Sequence, residues 1–354
     1  MRTTWLNRDV VEMHSLDWRQ FADFRESALA NGSRIVDGYS PSGLSITLLP
    51  DRGMDIWTAH YKGTPLTWIA PGSPHPPEYG QSWLSLFNGG LMTTCGLTHV
   101  GPPEDGRDLH GNYTRQRATT PHVYFDGAPE RINLETTVQQ SSLFGEQLYL
   151  SRKISLYLME PTIRIRDTVL NLGDEPTPFM LLYHCNVGYP LVQQGTQLFV
   201  DSEVYPRDEA ATAGVESWQE YGAASPGYAE QVFFHHVRDN GEGTACAALL
   251  NAEFGLKFSW DVSSLPYLGQ WKNTRQGIYV NGIEPGNCIP EGQNAARESG
   301  RLVMLQPGED RHFDLSITVI EGAESLVSCR REVTSATGSL IAGCDLTGYE
   351  RYNK

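Results

Sequence analysis

Apolar and polar residues alternate at period two through much of this chain, and that rhythm predicts strands. Residues 43–49 alternate and then turn apolar, Pro50-Asp51-Arg52-Gly53 reverses the chain, and residues 54–61 run back. Residues 147–158 read as one long strand. After the break at Glu160-Pro161, residues 162–169 alternate again, and 179–184 form a continuous apolar run. Residues 231–237, 245–250, 255–260 and 313–320 complete an all-β pattern whose spacing suits large antiparallel sheets packed as a sandwich. Helix signals are few. Ser15-Leu16-Asp17-Trp18 predicts a short helix reaching about residue 29, with Ser15 as its cap. Residues 70–80, rich in proline, and 210–227, small and polar, read as loops. No internal repeat and no low-complexity tract interrupts the pattern, so one domain over residues 1–354 is the simplest expectation.

Composition sharpens this reading. Gly (35) and Pro (21) are plentiful, as many turns between strands require, and only 19% of residues are charged, which leaves little for long solvated helices. A formal net charge of −15 argues against nucleic acid or an anionic membrane as partner. No apolar run approaches the ~20 residues of a membrane helix. The start, Met1-Arg2-Thr3-Thr4-Trp5, lacks the apolar core of a signal peptide. Six cysteines (Cys95, Cys185, Cys246, Cys288, Cys329, Cys344) include no CxxC pair, so reduced thiols in a cytoplasmic protein are expected, with no metal site.

Three places offer acid–base chemistry. In Tyr279-Val280-Asn281-Gly282-Ile283-Glu284-Pro285-Gly286-Asn287 the carboxylate of Glu284 ends an apolar run before what reads as a Pro-Gly turn. A partly buried carboxylate there would make a general base; a surface-turn carboxylate is the plain alternative. His184 closes the run Leu181-Leu182-Tyr183, where a hydrogen-bonded core imidazole is the commoner case. His110 stands beside Gly111 in a polar loop. Arg52 and Asp55 flank a tight turn, as a hairpin ion pair or as a clamp for a hydroxyl or carboxylate. Gln270, Trp271 and Lys272 mix an aromatic face with polar tips, which suits a sugar or a strand with one buried face. Gly89-Gly90 and Gly96 bring backbone close to a neighbouring strand or a ligand. Adjacent His235 and His236 would point to opposite faces of a strand and could not share a metal. Dinucleotide and phosphate-loop fingerprints, HExxH and GxSxG are absent.

The segments Leu109-His110-Gly111, Tyr183-His184-Cys185-Asn186 and Gly282-Ile283-Glu284-Pro285 together resemble the aldose 1-epimerases (galactose mutarotases). Phe87-Asn88-Gly89-Gly90-Leu91, Thr94-Cys95-Gly96-Leu97, Leu49 to Ile56 and Gln270-Trp271-Lys272 resemble more closely a divergent branch, of the DUF4432 type. The likeness runs from about residue 43 to 320. It implies a β-supersandwich with a cleft on a concave sheet, a small-molecule carbohydrate as partner, and no cofactor; a homo-oligomer is left open. It further implies Glu284 as general base, His184 as general acid, and His110 as the imidazole that binds and polarises the sugar. Arg52, Thr94, Asn186, Glu230, Gln270, Trp271 and Lys272 become candidate substrate contacts. Two departures stand out. Mutarotases carry an Asn-Arg pair ahead of the first histidine, where this chain has Met92-Thr93-Thr94-Cys95 and Arg52 could supply a cation instead. Glu230 stands in for a substrate-binding aspartate. Anomer interconversion, or a related isomerisation, is the expected activity. A sugar sensor without chemistry is the alternative, and a lyase or glycosidase using Tyr183 or Tyr189 a third.

Overall fold

The computed structural model describes residues 8–78, 80–126, 130–334 and the backbone of 340–341. The alternating segments form three sheets, antiparallel except for one short parallel pair at an edge. A five-stranded sheet holds the first strands in simple sequence order, from Asp23–Ala28 to Thr64–Pro65. The second sheet has eight strands, among them the long neighbours Arg131–Ser141, Gln147–Tyr157, Thr162–Asn171 and Asp310–Glu321. The third carries two of the candidate acid–base residues, His184 and Glu284. In it Thr93–Leu97, Thr177–Val187, Ile278–Gly286, Tyr267–Arg275 and Gln231–Val237 lie side by side in that order. Each of the nine strands expected from alternation is present.

The main core lies between sheets, filled by side chains such as Leu48, Ile56, Leu150, Ile165, Phe179, Tyr183 and Phe258, all fully buried. A second cluster, with Trp83, Phe87, Met180, Leu182 and Cys288, covers the other face of the third sheet. The strand Thr177–Val187 is therefore buried on both sides: Phe179, Leu181 and Tyr183 point into the main core, Met180 and Leu182 away from it. This explains its continuous apolar sequence.

Three expectations fail. The helix from Ser15 does not form; a helix spans Arg8–His14, Asp17 caps the short turn Trp18–Gln20, and Asp23–Ala28 is a strand. Pairing decides this, because Phe24 lies opposite Gly38, whose missing side chain makes room for its ring. The segment 210–227 includes a one-turn helix, Glu209–Ala213, capped by Asp208, too short to leave a periodic signal. Pro285-Gly286 is no turn but the end of the strand Ile278–Gly286. Leu182 pairs with Gly286 and Cys185 with Ile283; between them Tyr183-His184 face Glu284-Pro285 without ladder pairing, where a residue lacking an N–H is tolerated.

The cysteines expected to be reduced, Cys95, Cys185, Cys246, Cys288 and Cys329, are unpaired thiols; Cys344 lies outside the described residues. Among the described residues no group of side chains could hold a metal ion, and no helix is long and apolar enough to cross a membrane.

Candidate active site

The register of the third sheet brings His184 and Glu284 together. With Cys185 opposite Ile283 and Leu182 opposite Gly286, His184 falls across from Glu284 on the same face. His184 Nε2 lies 3.2 Å from Glu284 Oε1, both side chains less than a tenth exposed. Two glycines make room for the carboxylate. Gly269 is paired with Glu284 on the next strand, and a Cβ there would sit 2.9 Å from Oε2; a Cβ on Gly282 would sit 2.6 Å from Oε1. The carboxylate thus lies down on the sheet between strands.

His110 arrives from a loop. Its backbone is left-handed (φ 55°), its N–H donates to Gly101 O, and its carbonyl accepts from Gly96 N, each at 3.0 Å. Gly111 allows this approach, since a Cβ there would stand 2.6 Å from Gly96 O and 2.5 Å from His99 O. The His110 ring packs edge-on to Trp83 (4.8 Å between centroids) and lies 6.3 Å from the His184 ring. Asp108 ties the two loops together by accepting from Trp83 N at 2.7 Å.

These residues line a cleft of about 350 Å³, the size class of a small-molecule site. Trp83, stacked on Phe87 at 4.6 Å, forms one wall and Trp271, 5.6 Å from the His184 ring, another. At the rim, Trp271 Nε1 donates to Glu230 Oε2 at 2.8 Å, and Arg207 lies 3.4 Å from Glu230 Oε1 and 2.8 Å from Asp208.

Burial sets the electrostatics. Removal from water raises the Glu284 pKa above the ordinary carboxylate range, partly offset by His184 beside it. Burial, with His184 and His99 adding to it, lowers that of His110 to about 3, so its imidazole is neutral at physiological pH. Four buried polar atoms around the cleft make no hydrogen bond among the described residues: His110 Nδ1, His184 Nδ1, Trp83 Nε1 and Glu284 Oε1. The last is within ion-pair distance of His184 but is not aligned for a hydrogen bond. An unsaturated acid–base pair in an aromatic cleft can take a proton from one oxygen of a ligand and return one to another.

Five of the ten residues nominated from sequence line the cleft: His110, His184, Glu230, Trp271 and Glu284. The other five do not. Gln270 and Lys272 flank Trp271 on one strand and so face the opposite side. Gln270 donates to Trp218 O and Tyr221 Oη, while Lys272 Nζ donates to Ser217 O and lines a separate groove. Thr94 donates to Asp55 Oδ1 and accepts from Arg152 Nη2 inside the main core. Asn186 donates to Gly90 O and His184 O. Arg52 is buried, with donors to His75 O, Leu86 O and Thr114 O; it braces the loop leading to Phe87 and supplies no cation to the cleft. Nor does Arg52 pair with Asp55 across the hairpin, because Asp55 pairs with Arg152 at 3.0 Å. Tyr183 Oη donates to Asp167 on the core side, and Tyr189 is exposed and absent from the cleft lining. His235 is buried and hydrogen-bonded to Ser202, with His236 on the other face. Trp83, Leu84 and Arg207 escaped sequence reasoning. A Trp-Leu pair inside a loop segment was the available signal for the first two; Arg207 left none.

A family model described as a domain of unknown function, DUF4432, matches residues 30–319. Among solved structures, a candidate aldose 1-epimerase from Klebsiella pneumoniae superposes with a TM-score of 0.86 at 25% identity, covering 91% of this chain and 90% of that one. A galactose mutarotase-like protein from Clostridium acetobutylicum gives 0.61 at 12% identity, over 86% and 100% of the two chains. Galactose 1-epimerase from Lactobacillus acidophilus gives 0.57 at 12% identity, over 85% and 99%. No curated protein sequence matches the chain.

Proposed function

The chain belongs to the DUF4432 family on a galactose mutarotase-like fold, and from that premise we propose that it is a cofactor-independent isomerase that interconverts the anomers of a monosaccharide. The observation that carries the proposal is the approach of Glu284 and His184 to 3.2 Å in the floor of an aromatic cleft, with the neutral His110 alongside.

Glu284, raised in basicity by burial, takes the proton of the anomeric hydroxyl. His184 delivers a proton to the ring oxygen as the C1–O5 bond opens. The open-chain aldehyde turns about its first carbon–carbon bond and recloses with the two proton transfers reversed, so no net proton or electron is exchanged. A neutral His110 donates or accepts one hydrogen bond from the sugar without adding a charge that would compete with the pair. Trp83 and Trp271 offer ring faces to the C–H side of a pyranose. The aldose 1-epimerase candidate and the galactose 1-epimerase that share this fold support the same class.

Anomer exchange followed by NMR over a panel of free sugars tests this. His184→Ala and Glu284→Gln are each expected to slow exchange by ~100-fold or more, the usual scale for one acid–base group, with the fold retained. If the wild type accelerates no sugar beyond Glu284→Gln, the proposal fails, and saturable binding that survives that change would make the protein a sensor.

A further inference from the structure

The two aromatic walls of the cleft are held in different ways. Trp271 stands on the strand Tyr267–Arg275, fixed by ladder pairing on both sides. Trp83 stands outside the sheets, just ahead of the single turn Leu84–Leu86, and no ladder fixes it. A wall carried on a loop is placed only as well as the groups that tie the loop down. What those groups do for the sugar rests on the anomer-exchange reading.

The ties converge on Asp108 and Arg115. Asp108 Oδ2 accepts from Trp83 N and from Arg115 Nη2, while its Oδ1 accepts from the N–H of Leu109, the residue before His110. Arg115 is more than nine-tenths buried. Its Nη2 also donates to Gln81 O at 2.8 Å, and its Nη1 to Asn112 Oδ1 at 3.0 Å. One ion pair thus grips the Trp83 segment at Gln81 O and Trp83 N, and the His110 loop at Leu109 N and the Asn112 side chain. The rigid fork of a guanidinium can reach such separate acceptors at once. Arg52 bridges the same two stretches farther on, donating to Leu86 O and Thr114 O. Neither Asp108 nor Arg115 lines the cleft. His184 and Glu284 are placed instead by the pairing of their two strands.

We infer that Asp108 is a positioning residue: with Arg115 it sets the Trp83 ring against His110, and through that wall it sets the affinity for the sugar. The proton transfers of His184 and Glu284 proceed without it. Loosening the pair weakens the binding of ground state and transition state alike, which raises KM at a nearly constant kcat. A residue needed only for folding would act otherwise, since a smaller folded fraction lowers the apparent kcat and leaves KM where it was.

The test measures kcat and KM of Asp108→Asn on a sugar that the wild type turns over, beside amide hydrogen exchange over residues 81–87. An amide offers one acceptor oxygen where the carboxylate offers two, so it cannot serve Trp83 N and Leu109 N together. KM is expected to rise about 10-fold or more with kcat changed by less than about 3-fold, and the Trp83 amide to exchange faster. Arg115→Lys keeps the charge but not the fork, and should move KM the same way by a smaller factor; it decides the question if Asp108→Asn does not fold. A lowered kcat at unchanged KM, or both constants at wild-type values in a folded variant, overturns the positioning role and leaves the isomerase reading intact. If the wild type turns over no sugar, that reading fails by itself. The positioning role is then judged on the dissociation constant of a bound sugar, which Asp108→Asn must raise by the same factor, and it falls too if no sugar binds.

Discussion

Two buried polar clusters lie back to back across the strand Thr177–Val187, one behind Tyr183 and one in front of His184. In the first, Arg152 is fully buried and pairs with Asp167 at 2.7 Å and Asp55 at 3.0 Å. It also donates to Gly53 O and Thr94 Oγ1, and Tyr183 Oη donates to Asp167. None of these five side chains has a buried polar atom left without a partner. The second cluster is the cleft, where four such atoms go unmatched. Neighbouring residues of one strand thus serve opposite ends. A saturated ionic cluster fastens three sheets to one another, whereas an unsaturated one holds polar groups at a cost in stability and leaves them free to act on a ligand.

The sharpest way to break this contrast is Arg152→Met. Removing the cation strands Asp55 and Asp167 in the core, and the expected loss is about 3–5 kcal/mol in denaturant unfolding. A loss under about 1 kcal/mol would show that the cluster is not the fastening it is taken for. On the cleft side, Gly282→Ala should leave the fold nearly as stable but push the carboxylate off the sheet, because the new Cβ would stand 2.6 Å from Glu284 Oε1 and 3.4 Å from His184 Cε1. Mutarotation should fall about 10- to 100-fold, the scale of a misplaced reacting group. Unchanged turnover would mean that the position of Glu284 is not what matters.

The smallest effect runs the other way. Because the folded-state pKa of Glu284 is raised, the folded protein holds that proton more tightly than the unfolded chain does. Its favourable contribution is complete below the unfolded pKa and disappears as pH rises through the folded value. Wherever the folded carboxylate is ionised it is therefore a burden, and Glu284→Gln should stabilise the protein by about 1 kcal/mol, with Tm higher by about 2 °C. The gain should shrink on acidification. Calorimetry showing a destabilised variant at pH 7 would contradict the placement of Glu284 among the unsaturated groups.

Strands were legible from sequence wherever one face met the core and the other met water, as in Thr162–Asn171. Elements whose character depends on a distant partner were not. Phe24 is set by Gly38, and Pro285 by a gap in pairing with a strand about a hundred positions away. For the site, the acid–base trio could be named from its local settings and the family likeness, but its surroundings could not. Gln270 and Lys272 flank the cleft residue Trp271 and differ from it only by strand parity, which a one-residue error inverts. Arg52 is a cation in the right neighbourhood of the sequence whose donors go to three backbone carbonyls and the Thr114 hydroxyl.

The loop that carries His110 is also stitched to the chain just beyond Glu284. Gly292 N donates to Val100 O, Gln293 Nε2 to Thr98 O, and Asn294 N to Glu104, and a side chain on Gly101 would collide with Gly292. Nothing local can build this arrangement. It closes only when segments nearly two hundred residues apart have met, so the reactive centre belongs among the last contacts to form and is missing from any partly assembled chain. The proposed activity would, in consequence, report completion: a nicked or half-assembled molecule could keep most of its strands and still be inert.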